Sequence, residues 1–493
     1  MKHKKLICLV MLLVFTLSFV VPSSAADDSL RATVKYGSEV KNYTSFKDAW
    51  NSAVDAAGSQ KDVVFTLYKN WQADSNGSFG SGSGFKDGAI YYNKQNNITI
   101  DLNGCTIDRN MYIPIDGGAV IYVASKMTVI DSKPDEYSSA GIVRGGVITG
   151  GANNERGGGI VISDGATLNF NGGTILNCVS TDDGGAIGIE GEKAKLNVDG
   201  GSFYGNRTYD ASGECCGGAV YADKASINIK NAVFEGNYAE DKGGAIYAVG
   251  GNFSVTGTEF YSNSSLEEGG AVYLTDEQKT SFEKSVFVKN KSADNGGAIY
   301  IDSNAGTYLT DCRMCYNTSE NNGGALFVNG DKTFINSGEY RFNSASVYGG
   351  GIYVDSAYDI NAAGKLIIND NTAKNKSGNL CLQNGTFSTA YLFCGGFYEG
   401  SSVSIGSTDN GSRLAISGID KYQYNNYIRF DDGFTSDKIE QHKVTDEGIR
   451  AEGSALGNGN IIIIAVLSGL IIVAVIGMTI YSKKRKRGES ADD

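Results

Sequence analysis

Proline and histidine are almost missing from this chain. Its 493 residues hold 3 Pro and 2 His against 66 Gly. Much glycine without proline excludes collagen and proline-rich linkers, and points to a fold with many tight turns. With only His3 and His442 present, His-dependent triads and His-rich metal sites have almost nothing to work with. Cys312-Arg-Met-Cys315 is a CxxC without a second pair or a neighbouring His, so no zinc set is completed. No Gly-rich loop leads into Lys-Ser/Thr, which excludes a P-loop. The net charge of −12 argues against a nucleic-acid partner. No stretch between residues 98 and 405 reads as a helix, because short β-branched runs are broken by Gly, Asn and Asp. A hydrophobic share of 41% and an aromatic share of 10% are nevertheless enough to bury a core.

The two ends read as processing and anchoring segments. Lys2, Lys4 and Lys5 precede an apolar run, Leu6 to Val21, and then small residues. This order predicts a signal peptide over residues 1–26, cleaved after Ala25 or Ala26. Ile461 to Tyr481 is an uncharged run long enough to cross a bilayer. The Lys483 to Arg487 cluster that follows keeps the short tail in the cytoplasm and the body outside. A membrane is therefore the expected partner of the C-terminal helix. The hydrophobic-then-basic end is similar to Gram-positive wall-sorted proteins, but no LPxTG-like pentapeptide precedes it. Eight cysteines remain after the leader, at 105, 178, 215, 216, 312, 315, 381 and 394. Most are expected to be buried apolar residues, with room for a few bridges.

The body is repetitive. Glycine pairs begin at Gly184, Gly217, Gly243, Gly269, Gly296, Gly323 and Gly349, at intervals of 33, 26, 26, 27, 27 and 26. Six residues before the later pairs stand Asn237, Asn263, Asn290, Asn317 and Asn343. Three residues before each Asn is a large apolar residue: Phe234, Phe260, Phe287, Met314 and Tyr340. The unit is F-x-x-N-x5-G-G-A-[IV]-Y. Its period is too short for a propeller blade of ~40–45 residues and lacks the leucine-rich pattern. It fits one turn of a parallel β-helix, with coils stacked at about 4.8 Å and ten or so coils giving a rod of about 50 Å. The Gly pair then marks a corner that needs φ > 0 or close approach to the next coil. The asparagines form a ladder between coils. Alternation sends Ile246 and Ala248, and their equivalents in other coils, inward. The Tyr between them points outward.

Repeated GGA[IV] coupled to FxxN, over residues 117–380, resembles the chlamydial polymorphic outer-membrane proteins. More broadly it resembles right-handed parallel β-helix surface proteins of the pectin-lyase-like superfamily. The resemblance implies an adhesin-like passenger on a cell surface. The chain departs from the chlamydial kind in ending on a single helix where those have an outer-membrane barrel. That departure implies a one-membrane, Gram-positive-like envelope and argues against autotransport. Thr44 to Ala57 has helical spacing of Phe46, Ala49, Trp50, Ala53, Val54 and Ala57, capped by Thr44 or Ser45. It resembles the helix that plugs the open end of pectate-lyase-like β-helices.

The expected architecture is all-β. It comprises a cap and lead-in over 27–115, a right-handed parallel β-helix over 116–405, and a C-terminal cap and stalk over 406–459. A transmembrane helix over 460–482 and a basic tail over 483–493 complete it. Three sets of residues are candidates for function. Tyr221, Tyr247, Tyr273, Tyr300, Phe327 and Tyr353 form an outward aromatic column that can stack on sugar rings or anchor a protein, or simply on one another. Asp241, Glu267 and Asp294, two residues before their Gly pairs, can be bridged by calcium or be solvated turn residues. Calcium is the one candidate cofactor. An enzyme site would need two carboxylates ~5–9.5 Å apart. The interruptions at Ser132–Gly151 and Thr208–Glu214 are where such a site is to be sought. The expected function is binding of an extracellular glycan or protein ligand, with a polysaccharide lyase or glycoside hydrolase as the alternative and a passive spacer as a third. Asn-x-Ser/Thr sites at Asn206, Asn263, Asn290 and Asn317 matter only in a eukaryotic secretory route.

Overall fold

The computed structural model describes residues 29–451, except 60–61, 135–144, 211–213, 277–278, 356–357, 376, 384–389, 409–414, 418–425, 431–441 and 446–447. The expected signal peptide, transmembrane helix and basic tail lie outside the described residues. Among the described residues, no helix is long and apolar enough to cross a membrane.

The body is a parallel β-solenoid of about 11 turns. One coil shows how the repeat dictates it. Ile246–Val249 forms the first face, Asn252–Thr256 the second and Glu259–Tyr261 the third, and two residues, Ser264–Ser265, add a fourth short strand. Each strand pairs in parallel with its equivalent one coil on: Ile246 with Val272, Asn252 with Lys279, Glu259 with Val286 and Ser264 with Lys291. Side-chain alternation fills the interior. Ile246, Val272, Ile299, Leu326 and Ile352 are fully buried, as are the third-face rings Phe203, Phe234, Phe260 and Phe287. Those rings stack at 4.4, 5.0 and 4.6 Å between successive centroids, the spacing of paired strands.

The two glycines of each corner do different work. The first of the pair has φ near +66° at Gly243, Gly269, Gly296 and Gly323, where an L side chain is strained. The second sits where a Cβ would lie 2.2 Å from the carbonyl oxygen of the next coil, as at Gly244 against Gly270. Positive φ and close approach are both required, one at each residue.

The helix α1, Phe46–Ser59, buries Ala49, Trp50, Ala53, Val54 and Ala57. Ser45 Oγ accepts the Asp48 N–H at 3.3 Å at its start. Trp50 Nε1 donates to Gly84 O at 2.6 Å, and its ring meets Phe65 edge-on at 5.3 Å. The helix thereby joins the N-terminal end of the core. Ahead of it, Ala32–Tyr36 pairs antiparallel with both Glu39–Tyr43 and Val63–Leu67. Parallel stacking begins within the expected cap: Val63–Thr66 pairs with Ile98–Asp101, and Trp71–Gln72 with Ile107–Asp108. It continues past residue 405, where Val403–Ile405 pairs with Ile428–Phe430.

Candidate functional site

The asparagines lie fully inside. Asn206, Asn237, Asn263, Asn290 and Asn317 have no exposed surface, and Asn343 has 1%. Each carboxamide is satisfied on both sides. Asn290 Nδ2 donates to Asn317 Oδ1 at 2.9 Å and to Phe260 O at 3.0 Å. Its Oδ1 accepts the Nδ2 and backbone N–H of Asn263 at 3.0 and 3.1 Å. The chain of amides runs through Asn343 and Asn371 to Asn379. It starts at Asn206, whose Oδ1 accepts the N–H of Cys178, the residue standing at the ladder position one coil earlier. A buried column of amides with no unused donors holds the third corner in register.

The aromatic column lies outside the main core yet is mostly covered. Tyr221, Tyr273, Tyr300, Phe327 and Tyr353 are 5–9% exposed, and Tyr247 is half-buried. Successive centroids from Tyr221 to Tyr353 are 4.9–5.5 Å apart with rings nearly parallel. The ring faces are taken up by one another, so edges and hydroxyls are what the column offers a ligand. Burial pushes the phenols of Tyr221, Tyr247, Tyr273, Tyr300 and Tyr353 well above their usual range. In the coil before Tyr221 the column position is Gly188, paired with Tyr221 in the sheet. A Cβ there would lie 2.7 Å from the Arg156 Cβ. The Arg156 guanidinium sits 4.4 Å over the Tyr221 ring.

The acidic column is not a bare row of like charges. In two coils the residue directly before the Gly pair, Arg156 or Lys242, supplies a counter-charge. Arg156 pairs with Asp183 at 3.0 Å. Lys242 Nζ lies 3.8 Å from Asp241, 3.3 Å from Glu267 and 3.6 Å from Glu268. Asn321 Nδ2 donates to Asp294 Oδ1 at 2.8 Å. Asp241, Glu267 and Asp294 thus stand in line along one corner, with a cation between the first two and an amide on the third. No group of three or more His, Cys, Asp or Glu arranged to hold a metal occurs among the described residues.

Four carboxyls in this corner are perturbed: Asp183, Asp241 and Glu268 are raised and Glu267 is lowered. Burial raises Asp183 to about 7, against the Cys216 N–H and Arg156, which favour its charge. Burial likewise raises Asp241 to about 7, helped by a hydrogen bond shared with Glu267. That same hydrogen bond lowers Glu267. Burial works against the charge of Lys242, but Asp241, Glu268 and Glu267 outweigh it and raise its pKa. Carboxyls in direct hydrogen bond are closer than the spacing that two-carboxylate glycoside hydrolysis needs. Asp183, Arg156 and Lys242 were missed as members of this corner; their position holds Arg156, Asp183, Cys216, Lys242 and Glu268 in successive coils, so no letter repeats.

The interruptions flank this region. Asp210 N–H donates to Glu240 at 2.7 Å, and residues 211–213 lie outside the described set. Beside the first interruption, a groove of about 390 Å³ of mixed polarity is lined by Asp131, Thr174, Phe203, Tyr204, Val233 and Glu235 among others. The eight cysteines carry thiols and form no disulfide, seven of them buried and Cys105 half-buried. The expectation of a few bridges is therefore corrected: even Cys312 and Cys315, on one strand, and the adjacent Cys215 and Cys216 remain thiols.

A family model described as the Chlamydia polymorphic membrane protein repeat matches residues 231–249 and 284–302. Both stretches run from just before FxxN to just past GGAIY. No curated protein and no solved structure matches the chain, so the pectin-lyase-like likeness rests on no match. A Chlamydia family does not fit the Gram-positive-like envelope expected from the C-terminal run. The matched repeats and the solenoid that they build fit a β-helix surface protein resembling the chlamydial polymorphic membrane proteins.

Proposed function

We propose that this chain is an adhesin-like binding rod, displayed outside the cell and held to the membrane by the helix over 460–482. Its parallel crossovers wind right-handed, as such connections almost always do. The observation that carries the reading is regularity: coil after coil repeats the same satisfied corner, which is what an extended binding surface needs and a single catalytic centre does not. Glycan and protein are the ligand classes considered. Calcium along Asp241, Glu267 and Asp294 would first have to displace Lys242 from between the first two.

A surface lyase or glycoside hydrolase is the second reading. It rests on Asp183 and Asp241, whose carboxyls titrate near neutrality close to the Thr208–Glu214 interruption. To test the first reading, residues 27–459 are coupled to beads and counted on cultured cells. Saturable adherence, competed by the soluble body, is expected. Beads that adhere no better than albumin-coated ones would remove the adhesin reading and leave a spacer or an enzyme.

A further inference from the structure

One backbone position in every coil is left-handed: the residue just before the ladder Asn. Its φ is +61° at Gly205, +63° at Gly236, +52° at Ser262, +58° at Lys289, and +60° at both Tyr316 and Phe342. Glycine takes that conformation freely, while a bulky side chain is strained in it. In two neighbouring coils the chain nevertheless places aromatic residues there. Neither ring is hidden: Tyr316 is 51% and Phe342 42% exposed. The core therefore gains nothing from them. They stack on each other at 5.3 Å.

The same two coils carry a second stacked pair, one ring exposed and one half-buried. Tyr308 and Phe334 stack at 4.8 Å on the second face, with Tyr308 42% exposed. Eight residues of strand separate each member from its partner in the first pair, at most about 26 Å of chain. Planar charged groups fill the neighbourhood of the first pair. Arg341 lies 4.7 Å over the Phe342 ring and pairs with Asp370 and Glu339. Arg313 reaches Glu339 at 3.7 Å. These two cations and two carboxylates cancel, and exposed Lys289, one coil before Tyr316 in the left-handed column, is matched by exposed Asp311 between Tyr308 and Tyr316 in sequence, so the patch carries no net charge.

We propose that these two coils hold the ligand site of the rod, and that the ligand is a neutral polysaccharide lying across the coils. A sugar ring has an apolar C–H face for an aromatic platform, and hydroxyls that suit exposed guanidinium–carboxylate pairs. The absence of net charge in the patch favours a neutral chain over a uronate or sulfated one. The proposal rests on the binding reading above and names its site and ligand class. It differs from the Tyr221–Tyr353 column, whose faces are already covered.

The test uses cellohexaose, xylohexaose and maltohexaose, titrated into residues 27–459 by calorimetry. The intact body is expected to bind at least one of them. Y316G/F342G puts at both positions the residue found at Gly205 and Gly236. It is expected to weaken that binding at least tenfold while the urea midpoint stays level or rises. Tyr308→Ala, free of the left-handed constraint, is expected to weaken it several-fold at an unchanged midpoint. Undiminished binding by both variants would overturn the proposal. If the double variant also lowers the midpoint, the Tyr308→Ala result decides. Failure of the intact body to bind any hexaose would overturn the proposal too, and bead adherence to cells would then leave the binding reading standing with a protein ligand.

Discussion

Asn290→Ala removes one rung from the middle of the amide ladder. The loss leaves two buried donors without partners, the Asn263 N–H and one Nδ2 hydrogen of Asn263, and takes one of its hydrogen bonds from the Phe260 carbonyl, which stays in the strand ladder. Asn317 Oδ1 still accepts the backbone N–H of residue 290. A buried polar group left unsatisfied costs about 1–3 kcal/mol, so the variant is expected to lose about 2–6 kcal/mol. Asn206→Ala is the control at the ladder's start. It strands only the Cys178 N–H, and the same reasoning gives about 1–3 kcal/mol. Urea denaturation of residues 27–459, followed by far-ultraviolet circular dichroism, reads both. The order Asn290→Ala worse than Asn206→Ala is required. A loss below about 1 kcal/mol at Asn290 would refute the view that satisfied burial, and not mere side-chain volume, makes this column structural.

Gly244→Ala is expected to prevent folding or cost several kcal/mol, because its Cβ would collide with the Gly270 carbonyl; Gly236→Ala, with nothing within 4 Å, should cost only the left-handed strain of about 1–2 kcal/mol in the same denaturation assay. Tyr273→Phe should be nearly neutral, whereas Tyr273→Ala, which empties a stack between Tyr247 and Tyr300, should lose about 3–5 kcal/mol. Asp183 binds its proton more tightly folded than unfolded, so its contribution is full below the unfolded value near 4 and is lost as pH rises through about 7. Asp183→Asn should therefore flatten the fall in melting temperature between pH 5 and 8, and an unchanged slope would contradict the assignment. Millimolar calcium should shift the melting temperature little, since Lys242 already sits between Asp241 and Glu267; a rise of many degrees would show that calcium displaces it.

The sequence made the ladder, the glycine corners and the inward aliphatics readable because each is a letter repeated at coil spacing. Asn290 must be Asn and Gly244 must be Gly, for reasons local to one coil and its neighbour. The position before the ladder Asn was not readable. It asks only for φ > 0, and Gly236, Ser262, Lys289, Tyr316 and Phe342 all supply it, so no letter repeats. Tyr273 was placed on the correct side of its strand, but its burial depends on neighbouring rings and on Lys242, 5.7 Å above it. Asp183 and Arg156 meet across 27 residues of sequence, and only the coil register brings them together. The hairpin of Ala32–Tyr36 and Glu39–Tyr43 carries no repeat signature at all.

Binding without turnover is the central claim. Its most direct test is to present residues 27–459 to immobilised plant, host and bacterial polysaccharides, and to measure both retention and new reducing or unsaturated ends. Retention on at least one neutral polysaccharide with no new ends is the predicted result. Appearance of new ends would contradict the account and direct attention to Asp183 and Asp241.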